Sequence, residues 1–266
     1  MTDIAPHSPI VCLHSSGASG RQWRRLIADA TAQGLSGPWH APDFMGHGGR
    51  AGWPDGAPGD LRTEAQAVLA ALDLPPDQPL HLVGHSYGGA TALQMALLLP
   101  QRVRSLTLYE PVAFGMLDEG EPALHEARQV AQTVEADLDR GDLDAAARGF
   151  VGYWQGRDIW PELDAAQRAR LAEPMPTIRR HFEGLYAARW RDDELARLQM
   201  PVQLICGGAT RDSARAVAQT LARRLPRAQL AWLDDGAHLA PLSEPERVNP
   251  LILAHLRAVQ AMSSDH

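Results

Sequence analysis

Leu80-His81-Leu82-Val83-Gly84-His85-Ser86-Tyr87-Gly88-Gly89 is the stretch that decides how this chain reads. A short apolar strand pattern runs into G-x-S-x-G, and an apolar helical pattern, 90–99, follows at once. The glycines are physically required there. A strand-to-helix turn this tight has no room for side chains two positions either side of the serine, and the serine takes a strained conformation. Its Oγ is then presented at a helix N-terminus, where the dipole favours developing negative charge. The same five residues can occur by chance in a loop. The strand before and the helix after make an activated serine the stronger reading.

Outward from this junction the pattern repeats. Short apolar runs at 9–13, 39–42, 80–84, 103–109, 202–206 and 229–233 read as strands, and 22–33, 61–72, 90–99 and 214–225 read as helices between them. Such alternation predicts an α/β fold with a mostly parallel, doubly wound sheet of about six strands. The alternation stops after β-type residues 103–109: between 115 and 199 only helical patterns appear, at 121–140, 143–155, 161–172 and 178–190. This predicts a core made of 1–114 and 200–266 with an all-helical cap at 115–199. The aromatics of that segment, Phe150, Tyr153, Trp154, Trp160, Phe182, Tyr186 and Trp190, are expected mainly as its core, with one or two lining a pocket. Residues 261–266 read as a frayed tail.

Composition narrows the function classes. The 266 residues are 45% hydrophobic and 21% charged, an ordinary globular profile, and the net charge of -7 offers no basic face for nucleic acid or anionic lipid. All 25 basic residues are arginine, which excludes lysine-nucleophile and Schiff-base chemistry. No apolar run approaches the roughly 20 residues that span a bilayer, and 1–14 shows no signal-peptide pattern, so a cytoplasmic setting is expected. Cys12 and Cys206 sit in separate strand patterns and are expected as buried, reduced thiols too far apart to bridge. No metal-ligand spacing appears, and the glycines after the first strand lack the G-x-G-x-x-G order, so neither a metal nor a dinucleotide cofactor is expected.

Four motifs in order, LHSSGASG (13–20), PDFMGHGG (42–49), GHSYGG (84–89) and DGAHLAPLSEPERV (235–248), resemble the α/β-hydrolase superfamily across nearly the whole chain. The chain departs from many members in lacking the two leading antiparallel strands. The resemblance implies Ser86 as nucleophile and His238, on the loop after the last strand, as its general base. It implies an oxyanion hole from the backbone N–H of Tyr87 and from the loop after the first strand, where Ser16 is favoured by position and Ser15 is its neighbour. His14 reads as a structural histidine of that loop, and His85 and His47 as members of their turns. The remaining histidines, His181 among them, read as surface or packing residues.

The acid that orients His238 has two candidates. Family members usually carry it after the strand that follows the cap, as Gly-x-x-Asp, but here Leu204-Ile205-Cys206-Gly207-Gly208-Ala209-Thr210-Arg211-Asp212 puts the aspartate one or two positions late. Asp212 reads equally well as a helix-start acid. Some capped members keep their acid after the strand that follows the nucleophile helix. There this chain has Glu110, ending Ser105-Leu106-Thr107-Leu108-Tyr109-Glu110-Pro111. Glu110 is preferred and Asp212 is the alternative; a purely structural carboxylate is the plain reading of either.

These residues imply a cofactor-independent serine hydrolase acting on an ester or related acyl bond of a small, largely apolar molecule. Two alternatives share the scaffold: hydrolysis of a carbon–carbon bond in a ring-cleavage diketone, with cap arginines Arg157, Arg179, Arg180 and Arg189 as carboxylate anchors, and a non-catalytic small-molecule receptor. On the plain reading those arginines are simply solvated.

Overall fold

The computed structural model describes residues 8–35, 37–54 and 56–264; His7 and His266 lie outside them. Strands β1 (Ile10–Leu13), β2 (Trp39–His40), β3 (Leu80–His85), β4 (Val103–Tyr109), β5 (Val202–Gly207) and β6 (Ala228–Leu233) form one sheet in the order β2-β1-β3-β4-β5-β6, every neighbouring pair parallel. Strand side chains alternate between faces, and both faces of this sheet are buried. Ile10, Cys12, Val83, Tyr109 and Ile205 pack on one side with α1 (Arg24–Ala32) and α11 (Pro245–Ser264). Val11, Leu13, Leu82, Leu106, Leu108 and Leu204 pack on the other with α2 (Leu61–Leu72), α3 (Tyr87–Leu98) and α9 (Asp212–Arg224). That double burial is why the strands read as nearly unbroken apolar runs.

Between β4 and β5 the described residues contain helices and no strand: α4 (Pro122–Asp139), α5 (Leu143–Gln155), α6 (Ala165–Ala172), α7 (Met175–Ala187) and the short α8 (Asp192–Leu195). Local chemistry sets their ends. Asp142 caps α5 by accepting from Ala145 N–H at 2.9 Å, and Gly156 closes it in the left-handed conformation. Asp164 and Gln167 form a capping box that starts α6 and detaches it from the 3₁₀ turn Trp160–Glu162, so the single helix expected over 161–172 is two pieces. α7 begins and ends three residues before the expected 178–190, because Pro176 is tolerated in a first turn. A four-residue α10 (Ala240–Ser243) precedes α11, which continues to Ser264 where a frayed tail was expected from 261.

The topology selects one place for a site. From β1 the chain moves to β2 on one side, then returns to β3 on the other. The crevice at the carboxyl ends of β1 and β3 is therefore a topological switch point, the usual ligand position in such sheets.

Candidate active site

Register alone brings the key segments together. Leu13 pairs with Gly84, and His85 with Tyr109, so the loop after β1, Ser86 and Glu110 leave adjacent strands side by side. Ser86 adopts φ 57°, ψ -120°, and its N–H donates to Tyr109 O at 3.0 Å. A Cβ at Gly84 would lie 2.5 Å from Gly88 O, and one at Gly88 would lie 2.2 Å from Leu13 O, which is the steric demand anticipated from the motif. Backbone strain of this kind costs about 1–3 kcal/mol per residue. Glu110 (φ 42°) and Asp235 (φ 56°) are also in the left-handed region, so positive-φ non-glycine residues follow β3, β4 and β6 at the same edge of the sheet.

Three side chains form a continuous hydrogen-bonded line. Ser86 Oγ lies 2.9 Å from His238 Nε2, and His238 Nδ1 lies 2.7 Å from Glu110 Oε2. With Nδ1–H donating to the carboxylate, Nε2 is free to accept from the hydroxyl. All three residues are buried. The Glu110 carboxylate is fully satisfied: Oε1 accepts from Gly207 N–H at 2.7 Å and Oε2 also accepts from Thr210 Oγ1 at 2.6 Å. Thr210 stands where the motif Gly-x-x-Asp would place an acid, so a donor occupies that position and serves the carboxylate arriving from β4. Asp212 is elsewhere. It is the first residue of α9, its side chain is 84% exposed, and it pairs with Arg215 at 3.8 Å.

The loop that carries His238 is pinned from below. Tyr109 OH donates to Ala237 O at 2.8 Å, and His85 Nε2–H donates to His238 O at 2.8 Å. His85 Nδ1 must then accept, and Gln22 Nε2–H supplies the bond at 3.1 Å. The other end of the Gln22 amide, Oε1, accepts from both the N–H (3.1 Å) and the hydroxyl (3.2 Å) of Ser15. One line of bonds, part-buried at Gln22 and buried at His85, thus ties the loop after β1 to the backbone of His238. It requires a neutral His85, and burial pushes the pKa of His85 well below its ordinary value. From the helical insertion, Trp154 stacks on the His238 ring at 3.7 Å and 23°. Gln22 and Trp154 carry no motif; only their positions in the fold mark them.

The loop after β1 holds the candidate oxyanion groups. Among the described residues no protein acceptor is bonded to the N–H of Ser16 or of Tyr87, whereas Ser15 N–H is engaged by Gln22. Ser16 Oγ lies 2.7 Å from His181 Nδ1. His181 is a packing residue, one of the two expected readings, buried and stacked on the Tyr87 ring at 3.6 Å and on the His47 ring at 5.1 Å; the bond to Ser16 was not foreseen. Its position inside a helical run gave no sign of this. His14 is the structural residue expected, accepting Phe44 N–H at 3.1 Å through Nε2, and burial lowers its pKa to about 3.

Above Ser86 and His238 is a cavity of about 170 Å³ whose walls include Phe150, Trp154, Ile159, Leu171 and Ile178 from the insertion. The lining is apolar apart from Ser15, Ser16, Gln155, Ser86 and His238. Of the insertion arginines, Arg157 pairs with Glu162, Arg179 with Glu135 and Asp139, and Arg189 donates to Tyr186 O. Cys12 on β1 and Cys206 on β5 are free and buried, three strand steps or about 14 Å apart. Among the described residues no helix is long and apolar enough to cross a membrane.

A model of the alpha/beta hydrolase family matches residues 10–251. The chain belongs to the alpha/beta hydrolase family. It is 30% identical to the putative carbamate hydrolase RutD of Pseudomonas savastanoi pv. phaseolicola over 94% of this chain and 95% of that protein. It is 33% identical to the pimeloyl-[acyl-carrier protein] methyl ester esterase of Aromatoleum aromaticum over 91% and 96%. Lipase LipV of Mycobacterium tuberculosis is 34% identical over a shorter span, 59% of this chain, which covers about half (54%) of that protein. Among solved structures, a hydrolase from Pseudomonas aeruginosa PA01 superposes with a TM-score of 0.69 at 26% identity, over 94% of this chain and 90% of that one. These members of the family are hydrolases and esterases, which supports hydrolase activity for this α/β hydrolase.

Proposed function

We propose that this protein is a cofactor-independent serine hydrolase that cleaves an ester or related acyl bond of a small substrate with a largely apolar reacting portion. The observation that carries this reading is the line Ser86–His238–Glu110, with bonds of 2.9 and 2.7 Å, opening on an apolar cavity. Ser86 Oγ attacks the carbonyl carbon while His238 Nε2 takes its proton. The carbonyl oxygen becomes an oxyanion, received by the N–H groups of Tyr87, at the start of α3, and of Ser16, on the loop after β1. His238 returns the proton to the leaving group, and water, activated by the same imidazole, resolves the acyl-enzyme. Glu110 holds the imidazole in the required tautomer and stabilises its charged form. The helices between β4 and β5 act as a cap whose Phe150, Trp154 and Ile178 exclude water from the reaction.

An arylester panel combined with fluorophosphonate labelling tests the proposal. Labelling that disappears in Ser86→Ala, together with aryl-ester turnover, is expected. A chain that neither labels nor turns over any ester fits the receptor reading instead and overturns ours. Turnover of coloured dienoate diketones in preference to esters would move the reaction to a carbon–carbon bond.

A further inference from the structure

The cavity above Ser86 shares part of its wall with a second space. Gly17, Ala18, Pro174 and Leu242 line both it and a larger groove of about 810 Å³. The chemistry changes along the way. Arg21, from the 3₁₀ turn Gly20–Trp23, and Arg50, from the loop after β2, line it from the core, and Arg170 of α6 lines it from the insertion. Glu173 is the one acidic residue in the lining.

These arginines differ from several on the insertion, though Arg168 and Arg189 there also bond to carbonyls rather than carboxylates. Arg148, Arg157 and Arg179 are matched to carboxylates, as exposed arginines commonly are. Among the described residues Arg21, Arg50 and Arg170 make no ion pair. Arg50 is nevertheless fixed in place, donating through Nη1 to Asp43 O at 2.8 Å and through Nη2 to Ala67 O at 2.9 Å. Carbonyls hold its charge at the wall without neutralising it. The carboxyl of Glu64, which feels that charge, is itself pushed up to about 7 by burial. The Asp43 carboxylate lies beside the lining residue Gly48 and accepts Gly20 N–H at 2.7 Å. Three guanidiniums against Glu173 and Asp43 leave the groove positive on a chain whose net charge is -7. Arginine forks suit carboxylate and phosphate groups, and a place on one concavity that shares a wall with the cavity above Ser86 separates these three from scattered surface charge.

We propose that this groove is an anion subsite of the active site, and that the substrate is amphipathic. Its short apolar arm lies against Phe150, Trp154 and Ile178, the reacting carbonyl sits at Ser86, and a longer arm carries a carboxylate or phosphate to Arg21, Arg50 and Arg170. This rests on the acyl-hydrolase reading above and adds the class of compound.

Calorimetric titration of the Ser86→Ala protein with hexyl butyrate and with its ω-carboxylate and ω-phosphate derivatives tests the subsite without turnover. At least one anionic ester is expected to bind about tenfold more tightly than the neutral one. Arg21→Gln/Arg170→Gln, its fold checked by a thermal melt, is expected to make the esters bind alike, as is about 0.5 M salt. The better of the two anions identifies the headgroup. Equal binding of all three esters, or an anion preference that survives the double substitution, overturns the proposal. Turnover of hexyl butyrate by the unsubstituted protein is a separate readout: anion preference without turnover sinks the acyl-hydrolase reading and leaves the subsite standing.

Discussion

The ends of β4 and β5 both lie within reach of His238, and they are built in opposite ways. At β4 the chain turns through a left-handed glutamate, Glu110, whose carboxylate is buried and accepts bonds from Gly207, Thr210 and His238. At β5 the corresponding loop offers an amide and a hydroxyl, and its nearest aspartate, Asp212, points to solvent at the start of α9. Gly207 permits the arrangement, because a Cβ there would meet Gly236 O at 2.1 Å and crowd the Glu110 carboxylate. One strand end supplies the charge and the other supplies the donors that stabilise it. A buried carboxylate without such donors would be costly. The position of an acid is thus set by which loop can complete its hydrogen bonds as much as by which strand it follows.

The sharpest way to break this comparison is Glu110→Gln. A neutral amide at Oε2 disturbs the His238 tautomer, and kcat is expected to fall about 10³–10⁴-fold with the thermal melt little changed. If turnover stays near normal, Glu110 only braces its turn. A transfer experiment probes the same point: Glu110→Ala/Thr210→Asp moves the carboxylate to the β5 loop and is expected to recover at least about tenfold over Glu110→Ala alone. Failure to recover would show that the two strand ends are not interchangeable in this chain.

Glu64 extends the contrast to a buried carboxylate with poorer support. It accepts from Met45 N–H at 3.2 Å, and burial raises its pKa from 4.5 to about 7. Between those values the folded protein holds a proton that the unfolded chain has lost. Its stabilisation is therefore complete below pH 4.5 and is lost as pH rises to 7, by about 3 kcal/mol. Urea unfolding at pH 5 and pH 8 is expected to show that loss in the parent protein relative to Glu64→Gln. The difference between the two proteins cancels the buried histidines, such as His81 lowered to about 4, which destabilise the fold in the other direction as pH falls below 6.5. Parallel pH profiles for both proteins would refute the assignment.

Smaller effects separate donors from bystanders. Thr210→Val removes one bond to the Glu110 carboxylate and is expected to lower kcat about tenfold with KM unchanged. Asp212→Asn is expected to alter kcat/KM by less than about twofold, since its carboxylate faces solvent. A larger loss there would return the acid to the β5 loop.

Much of this was legible beforehand because local patterns carry it. Strand and helix periodicity located all six strands, and the glycines around Ser86 are dictated by contacts a few residues away. The loops and caps were less so. α11 and the break before α6 were not foreseen, and β2 is half its expected length. Gln22, Trp154 and His181 are not marked by any motif, since a glutamine in a turn or an aromatic on a helix has the same local pattern whether or not it meets a reactive group.

The amino-acid sequence by itself determined the parallel α/β architecture, the strained turn at Ser86 and the candidate base, because hydrophobic period and backbone sterics act over short distances along the chain. Tertiary structure alone placed Glu110 and not Asp212 against His238, joined Gln22 and His85 to the His238 loop, and gathered three arginines beside the cavity that make no ion pair among the described residues. The bonds concerned link residues 63 to 153 positions apart. Whether such groups meet depends on strand register and on loop packing across the sheet edge, which no local pattern encodes.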